Sequence, residues 1–273
     1  MGTLRRTVDQ CAEQIQKMKS IHGFLRAITP FGLIERRRRQ FQLSRLGLSP
    51  TPPIAEAVAA CRYDLWPVEL RNATKPWTLV DVGANRGDFT SAAARLAKLE
   101  RVFAFEPQPQ CCEELQHILD RIPNSVLHRA AVGATSGEIE LICTANSKMA
   151  SVLAPESQML AGYAEGDFEV ANRVKVPLLR IDDVIPPGTK VGLMKIDVQG
   201  YELPALEGAK ITLRSTFAIL IEVNYIVHYQ GSTTFDALHE ALRGYGFRTF
   251  GVSAPYCGPN GPLWADALFV RCA

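Results

Sequence analysis

From about residue 78 onward, short apolar runs alternate with stretches whose apolar residues recur at helical spacing. That alternation predicts a mostly parallel sheet covered by helices, an α/β architecture. The expected strands are residues 78–82, 102–105, 126–130, 192–196, 217–223, 247–252 and 267–270, with helices near 89–98, 110–120, 202–209 and 234–245. Two further runs, 138–143 and 174–179, read as extra strands bracketing a long polar loop. Loops of that length in compact domains carry function or move.

The first sixty residues have a different pattern. Residues 4–20 and 32–46 show helical periodicity, broken at Thr29-Pro30-Phe31-Gly32. Ser49-Pro50-Thr51-Pro52-Pro53 then forms a stiff linker, and a short helix over 54–62 leads into the main domain. The expected organisation is a helical arm over 1–60 and an α/β domain over 61–273.

Composition sharpens this picture. With 47% hydrophobic and 21% charged residues, 273 residues can bury one sizeable core, which excludes a disordered or fibrous chain. The formal charge is only +2, but residues 1–48 hold ten basic side chains against three acidic ones, a net +7 that leaves the remainder at −5. A basic, amphipathic arm suits an anionic partner such as a membrane surface, and it would equally serve as a lid or a homodimer contact. No run approaches the roughly 18 apolar residues of a membrane span. Seven cysteines, an odd number without CxxC or Cys/His spacing, argue for reduced thiols. The expectation is a cytoplasmic protein that the arm would hold peripherally at the inner face of the cell membrane.

The candidate chemistry gathers at strand ends. The strand that runs into Asp81-Val82-Gly83-Ala84-Asn85-Arg86-Gly87-Asp88-Phe89 ends in DxGxxxG and opens a helix. Glycines there let the backbone approach a ligand, and free amides at the helix start favour negative groups. Asn85 and Asp88 stand where a dinucleotide fingerprint has its second and third glycines, so the pattern fits a nucleoside ligand without a pyrophosphate. The next strand ends Phe105-Glu106-Pro107, placing an acidic residue where it can accept hydrogen bonds from ribose hydroxyls. That geometry serves either NAD or S-adenosylmethionine. Two more strand ends, Lys195-Ile196-Asp197-Val198-Gln199-Gly200-Tyr201-Glu202 and Ile221-Glu222-Val223-Asn224, bring Asp197, Glu222 and Asn224 to the same crevice, with His228 and Tyr229 following.

Taken together, DVGANRGDF, FAFEP, KIDVQGYELPALEGA, ILIEVNYIVHYQG and the terminal ADALFV resemble the FkbM family of S-adenosylmethionine-dependent O-methyltransferases, over roughly residues 80–270. KIDVQGYE is close to a signature, whereas DxGxxxG is shared by most methyltransferases of this fold class. The resemblance implies a Rossmann-like class I methyltransferase fold: a seven-stranded, mostly parallel sheet with helices on both faces and the last strand inserted antiparallel. It implies S-adenosylmethionine as cofactor, with cofactor residues Asp81, Gly83, Ala84, Asn85, Gly87 and Phe89 at the methionyl end. Glu106 and Pro107 would lie at the ribose, Ala130 and Ala131 near the adenine, and Asp197 beside the acceptor, where it would also bind the cofactor. It also implies a sugar-containing acceptor, in a polysaccharide, a glycolipid or a glycosylated natural product.

Methyl transfer to an alcohol needs in-line positioning and a group that takes the hydroxyl proton. Asp197, His228 and Glu222 are the candidates. Asp197, Glu222 and Asn224 are also three hard oxygen donors that would suit Mg²⁺. A cationic cofactor accounts for the carboxylates without one, so a divalent metal is not expected. An RNA, DNA or other small-molecule methyltransferase is the first rival, but Val-Gln-Gly follows Asp197 in place of a Pro-Pro-aromatic turn, and nucleic acid is not expected as a partner. A nicotinamide oxidoreductase is the second, disfavoured by Asn85 and Asp88.

Overall fold

The computed structural model describes residues 52–156 and 166–272. The helices expected at 4–20 and 32–46 lie outside these residues. The helices are α1 (Pro52–Ala60), α2 (Val68–Arg71), α3 (Asp88–Leu96), α4 (Pro109–Leu119), α5 (Ile181–Val184), α6 (Glu202–Glu207) and α7 (Phe235–Gly244). The strands are β1 (Trp77–Val82), β2 (Leu99–Phe105), β3 (Val126–His128), β4 (Ala131–Val132), β5 (Gly137–Thr144), β6 (Val170–Leu179), β7 (Val191–Ile196), β8 (Thr216–Asn224), β9 (Phe247–Val252), β10 (Tyr256–Gly258) and β11 (Gly261–Arg271). Among the described residues no helix is long and apolar enough to cross a membrane.

The main sheet runs β10-β11-β8-β7-β1-β2-β3, with β9 paired to the other half of β11. β3, β2, β1, β7 and β8 are mutually parallel, and β11 enters antiparallel between β8 and β9. The sheet therefore has eight strands rather than the expected seven. The additional one arises because the Pro259-Asn260 turn folds Gly258 against Gly261, extending the last strand back from 267 to 261 and pairing it with β10. A second correction concerns residues 126–130. The backbone turns after His128, with the Ala130 amide bonded to the His128 carbonyl, and Ala131–Val132 pairs instead with β6. β4, β6 and β5 form a separate three-stranded sheet, so the runs at 138–143 and 174–179 pair with each other antiparallel outside the main sheet.

Burial follows from this order. Every residue of β1 and β7 is buried, because helices cover both faces of a central parallel strand. Val80, Met194, Ile219 and Phe269 pack there with Leu238 and Leu242, the inward stripe of α7. Lys195 is the exception to the apolar run of β7. Its ammonium donates to the Gly83 carbonyl at 2.7 Å and lies 3.6 Å from Asp81 and 3.4 Å from Asp197. Asp81, fully buried, also accepts from the Thr90 hydroxyl at 2.6 Å. Burial alone would lower the lysine pKa, but Asp197 and Asp81 outweigh it and hold the group above its ordinary range. β1 and β7 are thus joined by a buried, compensated charge network as well as by their ladder.

Register carries these strands to a common end. Val82 aligns with Phe105 and Ile196, and Ile196 with Ile221. The residues that follow, Gly83, Glu106, Asp197 and Glu222, therefore emerge side by side. They do so where the chain order reverses, between β1 and β7, which is where open α/β sheets bind ligands.

Removing the ammonium would leave Asp81 buried beside no counter-charge. Lys195→Met is expected to lower unfolding free energy by about 3–5 kcal/mol, and adding Asp81→Asn to recover most of that loss, both read from urea unfolding midpoints.

Candidate active site

A cavity of about 460 Å³ opens at these strand ends. Gly83, Ala84, Asn85 and Phe89 form one part of its wall, Glu106, Pro107, Ala130 and Ala131 another, and Asp197, Glu222 and His228 a third. Asp81 and Gly87 do not line it. Asp81 lies beneath the floor on Lys195 and Thr90. Gly87, at φ +88, is the residue from which α3 starts, close against Leu115 and Ile118.

Gly83 shows why its position needs glycine. At φ +74, a Cβ there would stand 1.9 Å from the Asp197 carbonyl oxygen. A side chain would push β1 and the residue after β7 apart, and with them the two walls of the cavity.

Glu106 is almost fully buried, and its two oxygens accept from the backbone amides of Asn85 at 2.7 Å and Gln108 at 2.8 Å. Burial pushes its pKa up and those amides oppose the shift. An ionised carboxylate offers about four acceptor positions, so two remain after the amides are counted. Asn85 has a left-handed backbone, φ +49, fixed by its own side chain. Its carboxamide oxygen accepts from the Arg86 amide and its nitrogen donates to the Ser147 carbonyl. Gln108 donates to the same carbonyl at 2.9 Å. The turn Ser147–Met149, absent from the sequence-based expectations, is thereby tied to both sides of Glu106.

The KIDVQGYE segment forms the opposite wall. Glu202, wholly buried at the start of α6, accepts from the Val198 and Gly200 amides at 3.2 and 3.0 Å, and burial raises its pKa to about 7. Those bonds stabilise a loop with Gln199 at φ +55 and Gly200 at φ +98. The Gln199 side-chain nitrogen donates to Asp197 at 2.8 Å and reaches Glu222 at 3.4 Å, while its side-chain oxygen Oε1 accepts from the Tyr229 hydroxyl at 2.9 Å. Gln199 thus joins the site through an ordinary amide that no spacing rule flags, tied to Tyr229, which the sequence places after the same strand end.

Glu222 is pushed well above the ordinary carboxylate range, first by burial and then by Asp197, Glu202 and Asp266. His228 is buried, with Nδ1 2.6 Å from the Asn224 carboxamide oxygen. An amide oxygen only accepts, so with the amide so placed Nδ1 carries the proton and Nε2 the lone pair. Burial lowers its pKa to about 4, which keeps the ring uncharged. Asn224 is therefore committed to His228 rather than grouped with Asp197 and Glu222. Among the described residues no cluster of three His, Cys, Asp or Glu suits a metal ion.

Asp266 and Arg62 also line the cavity and were not singled out by the sequence reading. Asp266 stands in register with Glu222 across β8 and β11. Within ADALFV it is one polar position in an apolar strand, which is the signal available for it. Arg62 precedes every motif.

The parallel order with an antiparallel penultimate strand, and ligand-facing residues at the β1/β7 reversal, define a class I Rossmann-like methyltransferase fold. The methyltransferase FkbM domain model matches residues 81–249, more than half of the chain, and the protein belongs to that family. Its cofactor is S-adenosylmethionine. The hexuronic acid methyltransferase AglP of Haloferax volcanii is 26% identical over 158 residues, 57% of this chain and 59% of AglP. The methyltransferase sdnD of Sordaria araneosa is 29% identical over 153 residues, 48% of this chain and 59% of sdnD. The match thus spans about three fifths of these relatives. Among solved structures, magnesium protoporphyrin IX methyltransferase from Synechocystis aligns at TM-score 0.41 and 11% identity over 86% of this chain and 80% of that one. An rRNA methylase from Streptococcus thermophilus aligns at TM-score 0.43 and 14% identity over 82% of this chain and 99% of that one.

The residues fit the cofactor chemically. Glu106 keeps acceptor capacity for a diol, and Gly83 leaves backbone where a side chain would intrude. Glu106→Ala is expected to weaken binding of S-adenosylhomocysteine at least tenfold, about 1.4 kcal/mol, by calorimetric titration. Glu222 has a folded pKa above its unfolded one, so its stabilising protonated form is lost as pH rises through the folded value. Glu222→Gln should therefore gain stability relative to the wild type more at pH about 8 than at about 5, measured by thermal unfolding at each pH.

Proposed function

We propose that the protein transfers a methyl group from S-adenosylmethionine to a hydroxyl of a sugar. The observation that carries this reading is the adjacency of Asp197, just past β7, with Glu222 on β8 and Asp266 on β11, one wall of carboxyl groups beside Trp264. Carboxyl groups bind sugar hydroxyls, and an aromatic face suits the C–H face of a pyranose. The named substrate of AglP, a hexuronic acid, is a sugar as well.

When bound, the cofactor supplies an electrophilic methyl group on a sulfonium. Gly83 and Asn85 would accommodate its methionyl end, Glu106 its ribose hydroxyls, and Ala130 and Ala131 its adenine. In this reading Asp197, held by Lys195 and Gln199, takes the hydroxyl proton as the oxygen attacks. Glu222, whose protonated form burial and the neighbouring carboxylates favour, is placed to hydrogen-bond the acceptor and orient it. His228, uncharged and tied to Asn224, lines the same wall. Catalysis then comes chiefly from aligning the oxygen behind the methyl carbon.

The test is transfer of isotopically labelled methyl from S-adenosylmethionine to glycan and glycolipid fractions, with the product located by mass spectrometry. A one-methyl mass increase on a monosaccharide unit is expected. Asp197→Asn should cut kcat by about 10²–10⁴-fold while S-adenosylhomocysteine still binds. Label appearing in RNA or protein instead would refute the reading.

A further inference from the structure

Three cationic side chains stand on the cavity wall: Lys195, Lys148 and Arg62. Lys195 is engaged by Gly83, Asp81 and Asp197, and Lys148 pairs with Asp88 at 3.4 Å on the outside. Arg62 is different. Its only ion pair among the described residues is with Asp266, Nε to Oδ2 at 3.3 Å, and that Nε is buried without a hydrogen bond. Among the described residues neither Nη nitrogen bonds to the protein. The outer edge of the guanidinium, which binds planar anions in a two-pronged manner, is thus unspent.

The backbone holds Arg62 there against its own preference. It lies in the left-handed region, φ 50 and ψ 40, at the head of the turn Tyr63–Leu65, with no side-chain cap. The flanking residues impose this. Trp66, almost fully buried, donates from its indole nitrogen to the Cys61 carbonyl at 2.9 Å and packs edge-on to Trp77 at 5.6 Å. A non-glycine residue kept in that region costs of order 1–3 kcal/mol and is found where structure serves a site.

Asp266 pairs with Glu222, and Glu222 follows the residue paired with Ile196, just before Asp197. At about 4.8 Å per strand, Asp266 lies roughly 10 Å from Asp197 across the sheet. One pyranose with its exocyclic group, hydrogen-bonded at both ends, spans that distance. Trp264, two residues before Asp266 and lining the same cavity, is stacked on Tyr256 at 5.5 Å and so presents a braced aromatic wall beside the span.

We propose that Arg62 binds the carboxylate of the acceptor, so that the sugar methylated by this protein is a uronic acid, oriented with its carboxylate on Arg62 and a ring hydroxyl at Asp197. This deepens the sugar-directed reading and rests on it. Arg62 is a specificity-determining residue here, and Asp266 positions it. Asp266 is faced by Arg62 and Asp64 from the segment after α1, by Glu222 from β8, and by Lys195 and Asp197 from β7 and its end. Burial raises its pKa to about 6, with Arg62 opposing. An anion that shares Arg62 raises it further, so uronate binding takes up a proton and tightens as pH falls from about 8 to about 6.

The test loads the full chain with S-adenosylhomocysteine and titrates it with p-nitrophenyl glucuronide and galacturonide, and with the matching glucoside and galactoside. The uronides are expected to bind at least about tenfold more tightly. Arg62→Gly, which suits the left-handed backbone, should abolish that preference while leaving affinity for S-adenosylhomocysteine and for neutral glycosides unchanged. Arg62→Gly with Asp266→Asn should also abolish the preference, without leaving a buried carboxylate unpaired. Equal binding of both sugar classes, unaltered in these variants, would overturn the uronate subsite and leave the sugar reading standing. Binding of none of the four glycosides would overturn both.

Discussion

Lys195 sets an ammonium group between the two central strands, and both walls of the cavity take their positions from it. It accepts the cost of burial because three oxygens receive it: the Gly83 carbonyl from the end of β1, Asp81 from within β1, and Asp197 just past β7. These are the strand ends at which the chain reverses its order. The lysine keeps the Gly83 carbonyl turned inward and Asp197 at the cavity edge, and the missing side chain at Gly83 allows the approach. A hydrophobic residue at 195 would pack in this sheet but would leave the two carboxylates with no reason to converge.

From that anchor the electrostatics spread unevenly across one row. Asp197 stands beside the ammonium and Asp266 beside the Arg62 guanidinium, while Glu222 between them has no cation in contact and is driven toward its neutral form. Like charges directly opposed on paired strands destabilise a sheet. The row persists because its two ends are compensated and its centre is pushed toward the protonated form. Such an arrangement combines hydrogen-bond acceptors and a donor within one span, which is what a polyhydroxylated ring requires. Glu202, buried behind the row, bonds the loop that carries Gln199, and Gln199 links Asp197, Glu222 and Tyr229.

Much of this was legible from residues alone. The apolar runs ending at Val82, Phe105, Ile196 and Val223 mark the parallel core because strands buried on both faces leave no polar alternation to misread. The acidic residues after them were visible for the same reason. The hairpin of β10 and β11 was missed because its residues alternate weakly and one half faces solvent. The two longer strands of the second sheet were legible as extra strands, but β4 was not, because the partners of Ala131 and Val132, Leu178 and Leu179, lie 47 residues on. Lys195 was readable as a charge inside an apolar strand, whereas its partners were fixed only by register. Arg62 had no local signal, since its conformation is imposed by Trp66 and Trp77 rather than by its neighbours' propensities. Asp81 and Gly87 belong to the DxGxxxG motif, yet in the structure they hold up the floor and the start of α3, not the cavity wall.

The most direct measurement of the central claim is a crystal structure of the protein with S-adenosylhomocysteine bound. The ribose hydroxyls are expected within hydrogen-bond distance of Glu106, about 3 Å, and the sulfur facing the side of the cavity lined by Asp197 and Glu222. A ligand bound elsewhere, or one whose sulfur faces away from Asp197 and Glu222, would contradict the assignment of this cavity as the site of methyl transfer.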